Sequence, residues 1–135
     1  MIELYIDGGS AGDPGPSGAG VFIKGTDPVI RQLFPLKKMS NHEAEFHACI
    51  KGLLVCKEHQ FSTVSIRSDS KVLVQAVEKE YVKNPTFKPL LQEILSIIQE
   101  DFDYVFIKWI PSKSNKEADN LAKRAIQLSL EKFLD

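Results

Sequence analysis

Four acidic residues occupy positions where the packing of a hydrophobic core does not require a carboxylate: Asp7, Glu45, Asp69 and Asp119. Asp7 and Asp69 end two predicted strands, and ligand-binding groups of α/β sheets gather at strand ends. The two converge if their strands are neighbours in the sheet. Taken singly, each residue has a simpler explanation, because Asp69 can cap a helix, and Glu45 and Asp119 suit the dipole of a helix N-terminus. The four together favour a functional site, although their spacing alone does not decide it.

The elements that position these carboxylates begin with three predicted strands. Ile2, Leu4 and Ile6 alternate with polar residues, which predicts a half-buried strand ending at Asp7. A stretch rich in glycine and proline follows and reads as a turn, then an apolar run at residues 19–23 and a third strand at residues 29–33. Short strands with short links predict an antiparallel meander.

Two capping-box patterns predict where helices begin. Ser40 with Glu43 opens a helix over about residues 41–57, which contains Glu45. Ser114 with Glu117 opens a last helix that continues to about residue 133 and contains Asp119. The two carboxylates therefore lie near the N-termini of their helices.

The middle of the chain alternates strands and helices. Residues 63–67 predict a strand, which a helix follows after Ser70. The apolar stripe of that helix is expected from Val72, Leu73, Ala76 and Val77. Asn84–Pro85 breaks the chain before a third helix, which contains Leu90, Leu91, Ile94, Leu95 and Ile98. Residues 104–110 predict the fifth strand, in which Phe106 and Trp109 are expected in the core. The order of five strands and four helices predicts one α/β domain with a mixed sheet over residues 1–135.

Composition limits the classes of protein without naming one. A chain of 135 residues with 43% hydrophobic and 26% charged residues is globular rather than disordered. The formal net charge of −1 offers no basic excess, so attraction to phosphate must come from local lysines or bound cations. The short basic pairs Lys37–Lys38 and Lys113 with Lys116 are usually solvated surface.

The two cysteines and the absence of long apolar segments predict the cellular compartment of the protein. Cys49 and Cys56 share one predicted helix and are about 10 Å apart along its axis, too far for a disulfide. Buried thiols in a reducing cytosol are expected. No signal peptide or membrane-spanning run is recognisable, so a cytoplasmic protein that makes no membrane contact is predicted, and we expect a monomer.

The motifs around the four acidic residues resemble those of one family. The segment from Asp7 to Gly20, DGGSAGDPGPSGAG, is similar to the opening hairpin of type 1 ribonuclease H proteins. NHEAE at residues 41–45, SDS at residues 68–70 and NKEADNLA at residues 115–122 resemble the three further motifs of the family, in the same order. The resemblance spans nearly the whole chain and implies a ribonuclease H-like fold, a five-stranded mixed sheet with three antiparallel strands followed by two parallel strands, flanked by helices.

The resemblance also implies the chemistry. It assigns Asp7, Glu45, Asp69 and Asp119 as catalytic metal ligands. Carboxylates suit Mg²⁺, with Mn²⁺ as a possible substitute, and two ions about 3.5–4 Å apart can serve a phosphodiester displacement when substrate is bound. The implied reaction is endonucleolytic hydrolysis of the RNA strand of an RNA–DNA hybrid. Substrate contacts are expected from the residues that flank these ligands: Gly8, Asp13, Asn41, His42, Ser70, Lys71 and Asn115.

Some positions depart from the family pattern. His42 stands where many members have a second asparagine, and Asp13 stands where an asparagine is frequent, which puts an anion near the phosphates. Ser112 follows Pro111 where arginine is common in the branch with a short loop before the last motif. The basic insertion that some members carry after the second helix is missing as well, so weak affinity for nucleic acid is expected.

Two other functions stay open. A nucleic-acid-binding protein that kept the fold but is catalytically weak or inactive would explain Asp13 and His42, whereas the four intact carboxylates argue against it. A nuclease of the same broad fold that acts on DNA would use the same metal ligands. An assay of several nucleic-acid substrates distinguishes the three.

Overall fold

The computed structural model describes residues 1–132. Its elements follow the predicted order, with five strands and four α-helices: β1 Ile2–Ser10, β2 Gly15–Lys24, β3 Ile30–Met39, α1 Asn41–Glu58, β4 Thr63–Ser68, α2 Lys71–Lys79, α3 Lys88–Asp101, β5 Tyr104–Trp109 and α4 Lys116–Lys132. A short 3-10 turn, Ser112–Ser114, precedes α4. The predicted end of α4 near residue 133 lies outside the described residues.

The strands form one sheet in the order β3-β2-β1-β4-β5. The pairs β1–β2 and β2–β3 are antiparallel, whereas β1–β4 and β4–β5 are parallel. This confirms the predicted mixed sheet. Helix α1 packs on β1 and β2 on one face, and α4 packs on β1, β2 and β3 on the opposite face.

The hydrophobic core lies mainly between the sheet and α1. Leu4, Ile6, Val21, Phe46 and Leu53 are completely buried there. Both cysteines are buried free thiols, as predicted, and burial raises the pKa of each to about 12. They fill space in the core as small apolar groups.

Four local predictions need correction. The glycine-rich segment is mostly strand, because β2 begins at Gly15, and β3 runs to Met39 rather than ending near residue 33. On α2 the buried residue is Val74, whereas Val72 is 37% exposed. The predicted Ser114–Glu117 capping box does not form, because α4 begins at Lys116 and Ser114 ends the preceding 3-10 turn. The Glu117 carboxylate instead binds the Arg31 guanidinium of β3, with 3.1 Å between Arg31 Nη2 and Glu117 Oε1.

The first capping box is present as predicted. The Ser40 hydroxyl accepts a hydrogen bond from the Glu43 N–H at 3.1 Å, and the Glu43 carboxylate accepts one from the Ser40 N–H at 3.0 Å. The reciprocal bonds satisfy two donors at the helix start and set where α1 begins. No described helix is both long enough and apolar enough to cross a membrane.

Candidate active site

The parallel pairing of β1 and β4 brings Asp7 and Asp69 together. Ile6 of β1 is paired with Ser68, the last residue of β4, and each of these two residues is followed by an aspartate at the same edge of the sheet. Helix α1 adds Glu45. One carboxylate oxygen from each of these three residues lies within 4.8 Å of the other two, and we call Asp7, Glu45 and Asp69 the acidic cluster.

A glycine allows Glu45 to reach the cluster. A Cβ atom built on Gly8 would lie 2.6 Å from the Glu45 backbone nitrogen and would also collide with the Ala44 carbonyl group. Helix α1 therefore approaches β1 more closely than any side chain at residue 8 would permit. The Gly8 N–H also donates a hydrogen bond to the Glu45 carboxylate. Gly8 thus positions Glu45, and it remains a predicted substrate contact.

Asp119 enters from the opposite face of the sheet, beside Asp7. Its carboxyl group is hydrogen-bonded to that of Asp7 and forms an ion pair with Lys123 one helical turn later, at 3.0 Å. Glycines again permit the approach, because a Cβ on Gly20 would lie 2.7 Å from the Ala122 backbone nitrogen of α4. The structure therefore groups three of the four predicted carboxylates tightly and places the fourth at the edge of the group, with its side chain 40% exposed.

The cluster concentrates negative charge in a buried place. Burial raises the pKa of Asp7 far above its ordinary value, and the nearby carboxylates of Glu45 and Asp69 raise it further. Burial also raises the pKa of Glu45, with the Asp69 charge acting in the same direction. Within residues 1–132 the buried Glu45 Oε2 atom has no hydrogen-bond partner. Clustered carboxyl oxygens, one of them without a hydrogen-bond partner, are the donors that a hard divalent cation prefers.

Asn115 connects the cluster to the strands. Its side chain is 1% exposed, and its amide nitrogen donates to the Ile6 carbonyl at 2.9 Å and lies 3.5 Å from Asp69 Oδ2. The residue was expected to contact substrate. Its hydrogen bonds hold β1 and Asp69 in place, and Asn115 remains a predicted substrate contact.

A groove of about 300 Å³ opens beside the cluster. We call it the site groove; it is lined by Asn41, His42, Glu45, Asp69, Ser70, Lys71 and Val72. The Asn41 side-chain oxygen accepts a hydrogen bond from the Ser10 N–H at 3.2 Å, which leaves its amide NH₂ group as a donor. His42 is exposed and packs edge-on against Phe87. The structure therefore places both expected contact residues of early α1 in the groove.

The β4–α2 connection supplies the other side of the groove. The Ser70 hydroxyl caps α2 by accepting a hydrogen bond from the Leu73 N–H at 3.2 Å. The Lys71 ammonium lies 5.0 Å from the centre of the Trp109 ring. Asp13, in contrast, is exposed in the turn between β1 and β2. Asp13 and Lys71 remain predicted substrate contacts.

Trp109 was expected in the core, and that prediction is wrong. The residue is 43% exposed, and Phe106 is 52% exposed, because β5 is the edge strand of the sheet. The Trp109 indole N–H donates to the Asp69 carbonyl at 3.1 Å, so this ring supports the segment that carries a cluster carboxylate. The sequence contained a signal for this contact. Trp109 ends one predicted strand and Asp69 follows another, and the carboxyl ends of parallel strands meet at one edge of a sheet.

Comparison with known proteins agrees with this geometry. Residues 6–125 match the family model described as reverse transcriptase-like. A ribonuclease H of Desulforamulus reducens is 31% identical over 142 residues, covering 92% of this chain and 86% of that protein. The chain belongs to the ribonuclease H family.

Two further proteins are similar to this chain over nearly its whole length. The Enterococcus faecalis protein EbsB, whose name assigns it provisionally to the hydrolases, is 41% identical over 130 residues, covering 94% of this chain and 95% of its own. The crystal structure of the LC11 ribonuclease H1 in complex with an RNA/DNA hybrid superimposes with a TM-score of 0.89 at 30% identity, covering 96% of this chain and 99% of that one. The predicted fold is confirmed by this match.

Proposed function

We propose that this protein is a metal-dependent endoribonuclease that hydrolyses the RNA strand of RNA–DNA hybrids. The observation that carries the proposal is the acidic cluster, in which Asp7, Glu45 and Asp69 bring carboxylate oxygens within 4.8 Å of one another beside an open groove. Membership of the ribonuclease H family supports the reaction, since a relative of the same fold was crystallised with an RNA/DNA hybrid. In this proposal residues 1–135 act as one domain.

The acidic cluster and Asp119 are the proposed ligands of Mg²⁺, with Mn²⁺ as a substitute and two ions present when substrate is bound. The donors fit, because all are carboxylate oxygens, which Mg²⁺ prefers, and the buried Glu45 Oε2 atom has no hydrogen-bond partner within residues 1–132. Bound metal would supply Lewis-acid stabilisation of the phosphoryl oxygens and of the attacking and leaving groups. No side-chain nucleophile is needed for such a hydrolysis.

The remaining residues of the site bind and position the hybrid. The Asn41 amide NH₂ group and the His42 ring face the groove, where they can read the 2′-hydroxyl that distinguishes RNA from DNA. Lys71 and the N-terminus of α2, capped by Ser70, offer positive potential to a phosphate. Asn115 keeps Asp69 in register with Asp7 while these contacts form.

A second candidate function is nucleic-acid binding with little or no turnover. The exposed Asp13 favours it, because an anion in the β1–β2 turn repels the phosphates that the site must hold. A DNA-specific nuclease is the third candidate, since the same carboxylates could hold metal for it. The substrate therefore has to be tested directly.

The test uses end-labelled RNA–DNA hybrid, duplex DNA, duplex RNA and single strands, each with Mg²⁺ or Mn²⁺. Wild type is compared with Asp69→Asn and with Asp103→Asn, an exposed aspartate at the other end of the sheet. We expect cleavage of the RNA strand of the hybrid by wild type and by Asp103→Asn only. Cleavage of duplex DNA in preference to hybrid would identify a DNA nuclease, and hybrid binding without products would identify a binding protein.

A further inference from the structure

Within residues 1–132, no helix covers one part of the sheet. Because side chains alternate along a strand, Tyr5 and Arg67 lie on the face of the sheet that carries α4. Arg67 is paired with Lys108 of β5, so Lys108, Phe106 and Tyr104 lie on the same face. Helix α4 packs on β1, β2 and β3. Beyond it Tyr104 is 66% exposed and Phe106 is 52% exposed. We call this surface the open face; it consists of Tyr5, Lys24, Arg67, Tyr104, Phe106 and Lys108.

The open face continues into a pocket rich in lysine. A cavity of about 220 Å³ between β1, β2 and the start of α4 is lined by Lys24, Lys113 and Lys116, together with the rings of Tyr5 and Phe22. Asn115, which also borders the acidic cluster, lines the same cavity. The pocket therefore connects the open face with the end of the sheet where the cluster lies.

The charges on this surface are unbalanced. The carboxylates that lie beside the lysine pocket and Arg67 are paired, Glu117 with Arg31 at 3.1 Å and Glu3 with Arg67 at 3.2 Å. Lys24, Lys108, Lys113 and Lys116 are exposed, and none has a carboxylate partner within residues 1–132. Four unpaired positive charges on one side of a protein of net charge −1 are complementary to a polyanion.

The exposed aromatic rings of β5 indicate which class of polyanion fits this surface. Tyr104 and Phe106 project from alternate positions of one strand, so their rings are about 7 Å apart along the surface. Exposed aromatic rings near lysines stack on the faces of unpaired bases, whereas an acidic peptide has no bases that could stack on these rings. The bases of a duplex are already stacked on one another and cannot take this position.

We propose that the open face and the lysine pocket form a second binding site, which takes single-stranded nucleic acid. The bases stack on Phe106 and Tyr104, and the phosphates lie along Lys108 and Lys24 towards Lys113 and Lys116. The site is separate from the site groove and contains none of the acidic cluster. It would hold the single-stranded continuation of a nucleic acid whose paired part occupies the groove.

The first experiment measures binding of fluorescein-labelled oligo(dT) by anisotropy in EDTA, as a function of salt. Single strands give a slope of about −0.7 in log affinity against log salt for each phosphate contact, so four lysines predict about −3. The double variant Lys24→Gln/Lys108→Gln should bring the slope to about half that value. The matched control Lys83→Gln/Lys88→Gln removes two exposed lysines from the helical side of the sheet and should leave the slope unchanged.

The second experiment tests stacking. Phe106→Leu keeps an apolar side chain on an exposed edge strand but removes the π face, and it should weaken oligo(dT) binding by about fivefold or more. Phe106→Tyr should restore wild-type affinity, which a general loss of strand stability would not allow. Melting temperatures of both variants verify that the fold is intact.

The outcomes separate this site from the proposed catalytic function. Asp69→Asn should retain full oligo(dT) binding in EDTA whether or not the wild type cleaves hybrid. The inference fails if oligo(dT) does not bind, if the two lysine double variants weaken binding equally, or if poly-glutamate competes as well as oligo(dT) does.

Discussion

The acidic cluster and the open face lie on one sheet and contrast in almost every physical respect. The cluster gathers the buried carboxyl groups of Asp7 and Glu45 and the half-buried one of Asp69, and burial and nearby carboxylates raise the pKa of Asp7. The open face spreads exposed lysines and rings over neighbouring strands, where water screens each charge. The net charge of −1 gives no sign of either region, because the negative charges of one and the positive charges of the other cancel in the sum.

The contrast indicates that the acidic cluster lowers the stability of the fold more than the open face does. Burying like charges opposes folding until a cation binds, whereas solvated lysines on a sheet surface cost little. The cluster should therefore respond strongly to substitution, metal and pH. The open face should respond mainly to salt.

The largest expected effect is on cleavage. Asp69→Asn should lower hybrid cleavage by more than about 100-fold, because a metal ligand contributes several kcal/mol to the stabilisation of the transition state. Product formation on labelled hybrid measures this, with Asp103→Asn as the control of equal charge change. An Asp69→Asn protein with wild-type activity would refute the metal assignment.

Binding of hybrid to the site should depend steeply on salt. Raising salt from about 50 to 200 mM should weaken hybrid binding by about 100-fold, since a few phosphate contacts release counterions at a slope of about −0.9 each. Lys71→Gln should reduce that slope by about one contact, and Lys83→Gln should not. Tight binding that hardly changes with salt would place the hybrid on another surface.

Close packing around the cluster can be tested through two adjacent glycines. Gly8→Ala should lower the free energy of unfolding by about 2–3 kcal/mol, because the new methyl group collides with the backbone of α1. Gly9→Ala is the control, since its Cβ would lie 3.3 Å from the flexible end of Ile126. Urea unfolding of both variants measures the difference, and equal stabilities would contradict the role given to Gly8.

The raised pKa of Asp7 predicts how stability depends on pH without metal. The native state holds a proton that the unfolded chain has lost, so stability falls as pH rises above about 4. Asp7→Asn should flatten this decline and raise stability at pH 8 by on the order of 1 kcal/mol. Thermal unfolding in EDTA between pH 5 and pH 8 provides the measurement. Mg²⁺ should oppose the decline in wild type and have less effect on the variant.

The smallest expected effect concerns Asp13. Asp13→Asn removes an exposed anion and supplies an amide donor near the phosphates, so hybrid cleavage should stay equal or rise by a few-fold at most. The ratio kcat/KM on hybrid measures it, with the gain expected in KM. A marked loss of activity would show that the Asp13 carboxylate itself takes part in the site.

The sequence by itself determined the order of the elements and the proposed metal ligands. Alternation and capping patterns predicted the order of strands and helices, and the Ser40–Glu43 capping box appears as expected. The motifs identified Asp7, Glu45 and Asp69 before any distance was known. Such features are local, since they depend on residues within one or two turns or strands.

Tertiary structure alone decided which surfaces are covered. Periodicity shows that Phe106 and Trp109 lie on the two faces of β5, but only the strand order makes β5 an edge strand and exposes both. In the same way, only the packing of α1 on β1 explains why residue 8 is glycine and why Glu45 meets Asp7. A sequence pattern describes one element, whereas burial and close approach depend on which other element lies against it.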